Sequence, residues 1–287
     1  MKFLSFRVGG KDTYGAVAGE GPAAEGVIDL GKRLGKTYPT LRAALAAGAL
    51  AQLKKAAQGK KPDYKLAKIA FLPVIPDARK IICVGLNYRE HQQETGRAPT
   101  DYPTLFLRLT ASQVGHEQPI LRPRESEKLD WEGELAIIIG RAGRRIARNK
   151  AMGHIAGYAC YNDASVRDWQ RHTSQFTPGK NFPATGGFGP WMVTTDELRD
   201  IAAQRLTTRV NGVIKQQAGI DQLIFDLPAL IAYISTFTPL EGGDVIVTGT
   251  PGGVGFTRIP PEFMKPGDTC EIEITGVGVL RNKIKAA

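Results

Sequence analysis

Short stretches rich in apolar residues predict a strand pair at the beginning of the chain, and a turn dipeptide predicts a hairpin further along it. Phe3–Val8 and Tyr14–Ala18 are the two stretches predicted to pair. Leu206–Val210 and Val213–Gln217 flank Asn211-Gly212, a dipeptide that suits the type I′ turn of a hairpin. Both features indicate antiparallel β-structure.

The clearest strand is Leu129–Ile139, which ends in an uninterrupted apolar stretch. Shorter strands are predicted at Lys80–Val84, Pro103–Leu109, Asp244–Val247 and Glu271–Thr275. Strands outnumber helices, and their spacing does not alternate as βαβ. The expected fold class is therefore α+β with a mixed sheet.

Four segments are predicted to be helical: Leu41–Ala57, Asn87–Thr95, Ser165 to Arg171, and Leu227–Ser235. Ser165 is expected to cap the third of these helices. Gly59–Asp63 is typical of a loop and Pro73 to Pro76 of an extended linker. We therefore expect a small N-terminal domain at residues 1–75 and the main domain at residues 77–287.

The composition adds that this is an ordinary globular chain. It has 287 residues, of which 42% are hydrophobic and 23% charged. The chain has no run of eighteen apolar residues, so no membrane span is expected. Gly9-Gly10 and Lys11 follow the N-terminus too early to leave room for the apolar core of a signal peptide. The three cysteines form no C-x-x-C pair, so they are expected to be reduced and buried. We expect a soluble, cytoplasmic protein.

A formal net charge of +10 is compatible with nucleic acid, an anionic membrane surface or acidic metabolites as partners. The densest basic segment, Arg141 to Lys150, lacks the interleaved aromatic residues of a single-strand binder. It also matches no zinc-finger, basic-zipper or RNA-recognition signature. We expect no nucleic acid and no membrane as partner, although a basic nucleic-acid-binding protein stays an alternative.

Glu132 and Glu134 flank Gly133 in the clearest strand, and residues two apart in a strand face the same side. Two carboxylates so close repel each other, and a hard cation relieves that repulsion. Asp163 follows another apolar stretch, where strand ends commonly carry ligands. Oxygen ligands alone favour Mg²⁺ or Mn²⁺, with Ca²⁺ also suitable, over zinc.

A second group of residues could carry acid–base chemistry. His91 and Glu94 stand three apart on a predicted helix, so that the carboxylate can orient the imidazole as a general base. Lys180 and Arg167 are long cations suited to a carboxylate or an oxyanion. The Gly-rich segment from Thr248 to Gly255 follows a strand and exposes backbone N–H groups that suit an anion.

Five motifs in this order resemble the fumarylacetoacetate hydrolase family. They are Gly85-Leu-Asn-Tyr-Arg-Glu-His91, Leu129–Gly140, Tyr161-Asn-Asp-Ala-Ser-Val-Arg-Asp168, Gly179-Lys-Asn-Phe182 and Gly249-Thr-Pro-Gly-Gly-Val-Gly255. The resemblance covers residues 77–283 and implies a mixed β-sheet roll of the fumarylacetoacetase C-terminal type, with a small N-terminal α/β domain. It also implies a homodimer.

The resemblance implies roles for the candidate residues as well. Glu132, Glu134 and Asp163 match the metal carboxylates, and His91 and Glu94 match a water-activating dyad on a lid-like segment. The substrate-side positions are Lys180, Arg167 and Thr250. Many relatives have a Lys-Pro pair where this chain has Arg108-Leu109. Arg108 is expected to bind substrate too, although a planar guanidinium does not replace an ammonium neutrally.

The leading functional hypothesis is hydrolysis of a carbon–carbon bond in small 1,3-diketo acids, either acylpyruvates or fumarylacetoacetate-like acids. In this hypothesis His91, oriented by Glu94, activates water, and Lys180 stabilises the enolate that leaves. The alternative is a decarboxylase, hydratase or tautomerase of oxaloacetate-like or oxo-dioic acids. In every version the substrate is a small anionic keto acid, because Arg108, Arg167, Lys180 and the net charge all favour an anion.

Overall fold

Strands dominate the fold. The structure, a computed structural model, describes residues 1–19 and 26–287. Within these ranges the strands are β1 (Lys2–Val8), β2 (Lys11–Ala18), β3 (Gly26–Asp29), β4 (Ala70–Phe71), β5 (Ile81–Gly85), β6 (Thr104–Leu107), β7 (Gln113–Val114), β8 (Ile120–Arg122), β9 (Leu129–Asp130), β10 (Gly133–Ile139), β11 (Ile155–Asn162), β12 (Ser165–Val166), β13 (Gly186–Thr194), β14 (Arg205–Val210), β15 (Val213–Gly219), β16 (Val245–Val247), β17 (Thr269–Ile274) and β18 (Gly278–Ala286).

The helices of the described residues are short. The α-helices are α1 (Leu30–Leu34), α2 (Leu41–Ala46), α3 (Leu50–Ala57), α4 (Arg89–Glu94), α5 (Arg167–Gln170), α6 (Thr177–Lys180) and α7 (Leu227–Phe237). Short 3-10 helices lie at Leu66–Lys68, Thr110–Ser112, Arg148–His154, Ile220–Gln222 and Gly255–Thr257. No helix of the described residues is long and apolar enough to cross a membrane.

The largest sheet has eleven strands, and nine of them follow the order β3-β2-β1-β13-β11-β10-β16-β5-β6. Beside this path, β4 pairs with β1 and β7 pairs with β13. A five-stranded sheet has the order β15-β14-β17-β18-β8, and β9 pairs with β12. Most pairs are antiparallel, but β5/β16, β7/β13 and β8/β18 are parallel. The expected α+β class with mixed sheets is confirmed.

Strand β10 is buried on both faces, which explains its uninterrupted apolar sequence. Leu135, Ile137 and Ile139 belong to a core shared with the five-stranded sheet. Ala136 and Ile138 alternate with them and belong to a second core, which is covered by α2 and α3. The strand is therefore held rigidly along its whole length, and its first residues are placed accurately at one edge of the sheet.

Four strand ends meet at that edge. Strand β10 begins with Gly133 opposite Asn162, the last residue of antiparallel β11. The parallel strands β16 and β5 end nearby, with Val247 opposite Cys83. The segments that leave these ends carry the Gly-rich loop, Asp163 and the entry to α4. This convergence places the candidate functional residues together.

Several predicted elements are confirmed and others differ in extent. Strands β1 and β2 pair as predicted, and the Asn211-Gly212 hairpin has the positive φ angles of a type I′ turn at both residues. The helix predicted at Leu41–Ala57 is interrupted between α2 and α3, where Gly48 has a φ of +68°. The predicted cap is wrong, because Ser165 lies in β12 and its hydroxyl donates to the Asp163 carbonyl.

The N-terminal strands join the large sheet through β1, where Lys2 pairs with Val193 and Phe3 with Met192 of β13. The residues between Pro73 and Pro76 form no helix or strand. Whether residues 1–75 form a domain of their own stays a prediction.

Candidate active site

Glu132, Glu134 and Asp163 form a buried cluster at the edge of the large sheet, and one oxygen from each lies within 4.8 Å of the others. Glu132 precedes β10, Glu134 is its second residue, and Asp163 follows β11. The glycine between the two glutamates is required by packing. A Cβ at Gly133 would lie 2.1 Å from Thr208 Oγ1 on the neighbouring sheet.

Three buried cations, Lys180, Arg167 and Arg108, are paired with Glu132 and Asp163. Lys180 Nζ donates to Glu132 and Asp163 at 2.6 Å each, and Arg167 lies 2.6 Å from Glu132. Glu134 has no such ion pair among the described residues, and its side chain accepts a hydrogen bond from Gly249 N at 2.5 Å. Gly249 has a φ of +109°, a conformation that favours glycine, and this turn aims its N–H at the carboxylate.

These surroundings separate the two glutamates electrostatically. Burial raises the pKa of Glu134 well above its usual range, and repulsion from Asp163 and Glu132 adds to this effect. Burial would raise the pKa of Glu132 as well, but Lys180 and Arg167 outweigh it and lower the pKa. The cluster thus contains three buried carboxylates, and Glu134 is the one that has no cation as a partner in the described part of the chain. Such a donor set fits a hard divalent cation.

A fourth buried carboxylate, Asp130, contacts Arg167, which is itself paired with Glu132 of the cluster. Asp130 is fully buried and accepts a hydrogen bond from Arg167 Nε at 2.8 Å. It also accepts from the backbone N–H groups of Gly255 at 2.7 Å and Phe256 at 3.0 Å. Asp130 therefore fixes Arg167 and the end of the Gly-rich loop relative to each other.

Arg108 differs from the expected substrate contact. Its side chain is fully buried, and it does not line the cavity described below. The guanidinium donates to Asp163 at 2.6 Å, to the Ala164 carbonyl at 3.1 Å and to Thr185 at 2.8 Å. Arg108 thus orients Asp163 from the protein side and neutralises part of its charge.

Lys180 and Arg167 differ in how fully their donors are used. Lys180 Nζ has three acceptors, namely Glu132, the Asp163 carboxylate and the Asp163 carbonyl. Arg167 contacts Glu132, Asp130 and Gln170, yet its buried Nη2 has no hydrogen-bond partner. Of the two, Arg167 is the cation with a donor free for a ligand.

His91 and Glu94 form the expected pair on α4. His91 Nδ1 lies 2.7 Å from Glu94 Oε1, so Nε2 is the ring nitrogen that Glu94 does not engage. The second oxygen of Glu94 accepts from Gly253 N at 2.9 Å and Thr257 Oγ1 at 3.2 Å. Burial would raise the pKa of Glu94, but His91 and these donors lower it. The ionised carboxylate orients the ring.

All of these elements surround one cavity of about 590 Å³. The acid cluster and His91 lie on its wall together with Arg167, Lys180 and Thr250. The Thr250 hydroxyl donates to the Gly133 carbonyl at 2.9 Å and accepts from Gln216 at 2.8 Å, so it fastens the Gly-rich loop to β10. Of the residues expected to contact a metal, water or substrate, only Glu94 and Arg108 do not line the cavity, and they are paired with His91 and Asp163, which do.

Sequence reasoning missed several residues of this site. Asp130 lies two positions before Glu132, so the spacing of three alternating acids could have revealed it. Gln170 lies one helical turn from Arg167. Arg97, Arg171 and Phe256 also line the cavity, and nothing in their local sequence indicated this.

Comparison with known proteins gives consistent matches. Residues 80–285 match the family described as fumarylacetoacetate (FAA) hydrolase C-terminal. The mitochondrial oxaloacetate tautomerase Fahd2a of Rattus norvegicus is 38% identical over 237 residues, which are 82% of this chain and 76% of that protein.

Two solved structures extend the likeness to the whole chain. Fumarylacetoacetate hydrolase from Exiguobacterium antarcticum has a TM-score of 0.82 at 33% identity and covers 100% of both chains. The 5-carboxymethyl-2-hydroxymuconate delta-isomerase of Mycobacterium smegmatis has a TM-score of 0.79 at 30% identity, covering 100% of this chain and 99% of that one. These similar proteins include a tautomerase, a hydrolase and an isomerase.

Proposed function

Because the chain belongs to the fumarylacetoacetate hydrolase family, we propose that it is a divalent-metal-dependent enzyme that interconverts the keto and enol forms of small anionic 2-oxo acids. The observation that carries the proposal is the His91–Glu94 pair, which shares a cavity with the three clustered carboxylates. Likeness to an oxaloacetate tautomerase and to an isomerase supports proton transfer as the reaction type.

The proton would move through His91. Glu94 engages Nδ1, so Nε2 is the nitrogen available to take a proton from the carbon beside the keto group. The same nitrogen can return the proton to the oxygen or the carbon, as tautomerisation requires. Glu94 stabilises the imidazolium in between, because its carboxylate stays ionised.

Glu132, Glu134 and Asp163 would hold the cation, with Mg²⁺ or Mn²⁺ as the proposed metal. When bound, such an ion polarises a carbonyl oxygen and stabilises negative charge that develops on it. Arg167 would bind the substrate carboxylate through its unpartnered Nη2. Lys180 and Arg108 would keep the carboxylates in place while the substrate enters.

Hydrolysis of a carbon–carbon bond in 1,3-diketo acids is the second candidate. The same pair favours it, since an imidazole oriented by a carboxylate can take a proton from water as well as from carbon. A cavity of about 590 Å³ also leaves room for an acyl group larger than a four-carbon acid. The two candidates differ in their products, because only hydrolysis yields two acids.

The test follows oxaloacetate and an acylpyruvate with the purified protein, first in chelator and then with Mg²⁺ or Mn²⁺. Ketonisation of enol-oxaloacetate is recorded by ultraviolet absorbance, and product analysis detects pyruvate, carbon dioxide or a second acid. We expect metal-dependent ketonisation without carbon dioxide release. His91→Ala should reduce turnover on the order of 10²–10⁴-fold.

His172→Ala is the matched control, because His172 is exposed and does not line the cavity. It should leave turnover unchanged, and Mn²⁺ affinity should be unchanged in both variants. Near-normal turnover in His91→Ala would refute the assigned base. Cleavage of the acylpyruvate without ketonisation would replace the tautomerase by the hydrolase.

A further inference from the structure

Three arginines that act electrostatically on one another line the cavity. Arg97, Arg167 and Arg171 all line it. The guanidinium carbons of Arg167 and Arg171 lie 4.3 and 4.4 Å from the centroid of the same Phe256 ring, so the two cations are neighbours across one aromatic side chain. Guanidinium groups stack on aromatic faces in this way and keep their N–H edges free for ligands.

Two of these three arginines have no acidic side chain as a partner among the described residues. The side chains of Arg97 and Arg171 have no hydrogen bond and no ion pair among the described residues. Asp130, whose charge acts on Arg171, already accepts hydrogen bonds from Arg167 and two backbone N–H groups. Burial, together with the positive charges of Arg167 and Arg97, lowers the pKa of Arg171.

A continuous series of contacts leads from the acid cluster to Arg171. Glu132 of the acid cluster contacts Arg167, Arg167 stacks on Phe256, and Arg171 stacks on the same ring. Arg167 is buried, whereas Arg171 and Arg97 are exposed. Positive charge therefore continues from the carboxylate cluster towards the exposed side of the cavity.

We propose that Arg97 and Arg171 form a second anion subsite, which binds the far carboxylate of a dicarboxylic 2-oxo acid. The inference rests on the proposed function, in which the 2-oxo acid end of the substrate lies against the acid cluster and Arg167. A monocarboxylic acid leaves Arg97 and Arg171 without a counter-ion. A dicarboxylic acid of suitable length satisfies both ends of this series of contacts with charge-assisted hydrogen bonds.

The subsite would also connect substrate length to the catalytic pair. Arg97 follows α4, the helix that carries His91 and Glu94, and Arg171 follows α5, which begins at Arg167. A carboxylate held between them joins these two segments across the mouth of the cavity. The dicarboxylic substrate is thus selected by the segment that also positions the base.

The experiment compares matched pairs of ligands by titration calorimetry in the presence of Mn²⁺. Each pair has a dicarboxylic 2-oxo acid and the monocarboxylic acid of equal chain length, such as 2-oxoglutarate and 2-oxopentanoate, or 2-oxoadipate and 2-oxohexanoate. In the unaltered protein at least one diacid should bind about tenfold or more tightly than its partner, as expected for a gained charge-assisted hydrogen bond.

Arg171→Gln and Arg97→Gln should each remove most of that preference by weakening diacid affinity. Arg144→Gln is the control, because Arg144 is exposed, lies outside the cavity and loses the same charge. It should leave the preference intact. Equal affinity of diacid and monoacid for the unaltered protein at every length would overturn the subsite while leaving the proposed function standing.

Two other outcomes are separable. If Arg144→Gln reduces the preference as much as Arg171→Gln, the effect comes from net charge and the subsite is refuted. If neither ligand of any pair binds with Mn²⁺ present, the proposed function fails, and the subsite fails with it.

Discussion

Two glutamates that are separated by one residue have opposite electrostatic surroundings. Glu132 is paired with Lys180 and Arg167, and these cations lower its pKa. Glu134 faces other carboxylates and has a backbone N–H as its hydrogen-bond donor, so its pKa is raised. The sequence predicted that both would face one side, but the distribution of cations depends on residues far away along the chain.

Replacing Glu134 with glutamine should therefore have two effects of opposite sign. Mn²⁺ binding should weaken by at least about tenfold, because one of three charged ligands is lost. The metal-free protein should unfold a few degrees higher, because a neutral amide removes buried repulsion while its oxygen can still accept from Gly249. Calorimetric titration with Mn²⁺ and thermal unfolding in chelator measure the two effects.

Glu127→Gln is the control for this prediction, because the Glu127 side chain is 89% exposed. It should change neither quantity. An unaltered Mn²⁺ affinity in Glu134→Gln would remove Glu134 from the metal ligands, and a lower melting temperature in chelator would show that the buried carboxylate stabilises the metal-free fold.

At the scale of elements, the site depends on strand β10, which begins four residues later than the sequence predicted. The sequence predicted one strand over Leu129–Ile139, but it is divided into β9 and β10, and Trp131 and Glu132 lie between them. Gly133 is the first residue of β10 and faces the five-stranded sheet, where Thr208 of β14 leaves no room for a Cβ. The acid cluster is thus built on a junction between sheets.

Gly133→Ala should destabilise the protein by about 1–3 kcal/mol, because its Cβ would meet Thr208 Oγ1 at 2.1 Å. Thr208→Ala in the same chain should recover much of this loss. The Thr208 hydroxyl has no hydrogen-bond partner among the described residues, so its removal leaves no broken pair. Urea unfolding of the two single variants and the double variant, in chelator, measures the coupling.

A coupling of about 1 kcal/mol or more is expected for side chains in contact. Strict additivity of the two substitutions would contradict the packing argument. A Thr208→Ala protein without the glycine change serves as the reference for the small cavity that the substitution leaves.

At the scale of the whole molecule, His116 links the eleven-stranded sheet to the five-stranded sheet. Its ring packs edge-on against Phe71 of β4 at 4.8 Å, and its Nδ1 accepts a hydrogen bond from Arg281 N of β18 at 3.1 Å. Burial lowers the pKa of His116 to about 4, and Arg281 contributes while Glu117 opposes the shift. The imidazole is therefore neutral in the folded protein at neutral pH.

This shift predicts a loss of stability in mild acid. The folded pKa lies below the unfolded value of about 6.5, so the unfolded chain binds the proton first as the pH falls. The His116 contribution is complete above pH 6.5 and disappears towards pH 4. Between pH 7.5 and 5 it amounts to about 2 kcal/mol.

Urea unfolding of the unaltered protein and of His116→Asn at both pH values isolates this contribution, because carboxylates titrate equally in the two proteins. The variant should lose about 2 kcal/mol less on acidification. His172→Asn, at an exposed histidine, should behave like the unaltered protein. Identical pH dependence in His116→Asn would show that His116 is protonated without unfolding.

The homodimer and the cytoplasmic location stay predictions.

The sequence by itself determined the type of fold and the chemical character of the site. Apolar stretches and turn dipeptides are local features, and they identified β1, β2, the hairpin and α7 because each of these elements can be recognised from its own residues. The spacing of Glu132 and Glu134, and of His91 and Glu94, similarly depends on geometry within one element. Asp163 needed the resemblance to join them.

The tertiary structure alone decided how these groups are balanced. Arg108 points to Asp163 instead of the cavity, Asp130 anchors Arg167, and Arg171 meets Phe256, through contacts between residues distant in sequence. Charge balance, burial and unpartnered donors arise only where several strand ends converge. No local pattern encodes them, because each depends on which distant side chain occupies the neighbouring space.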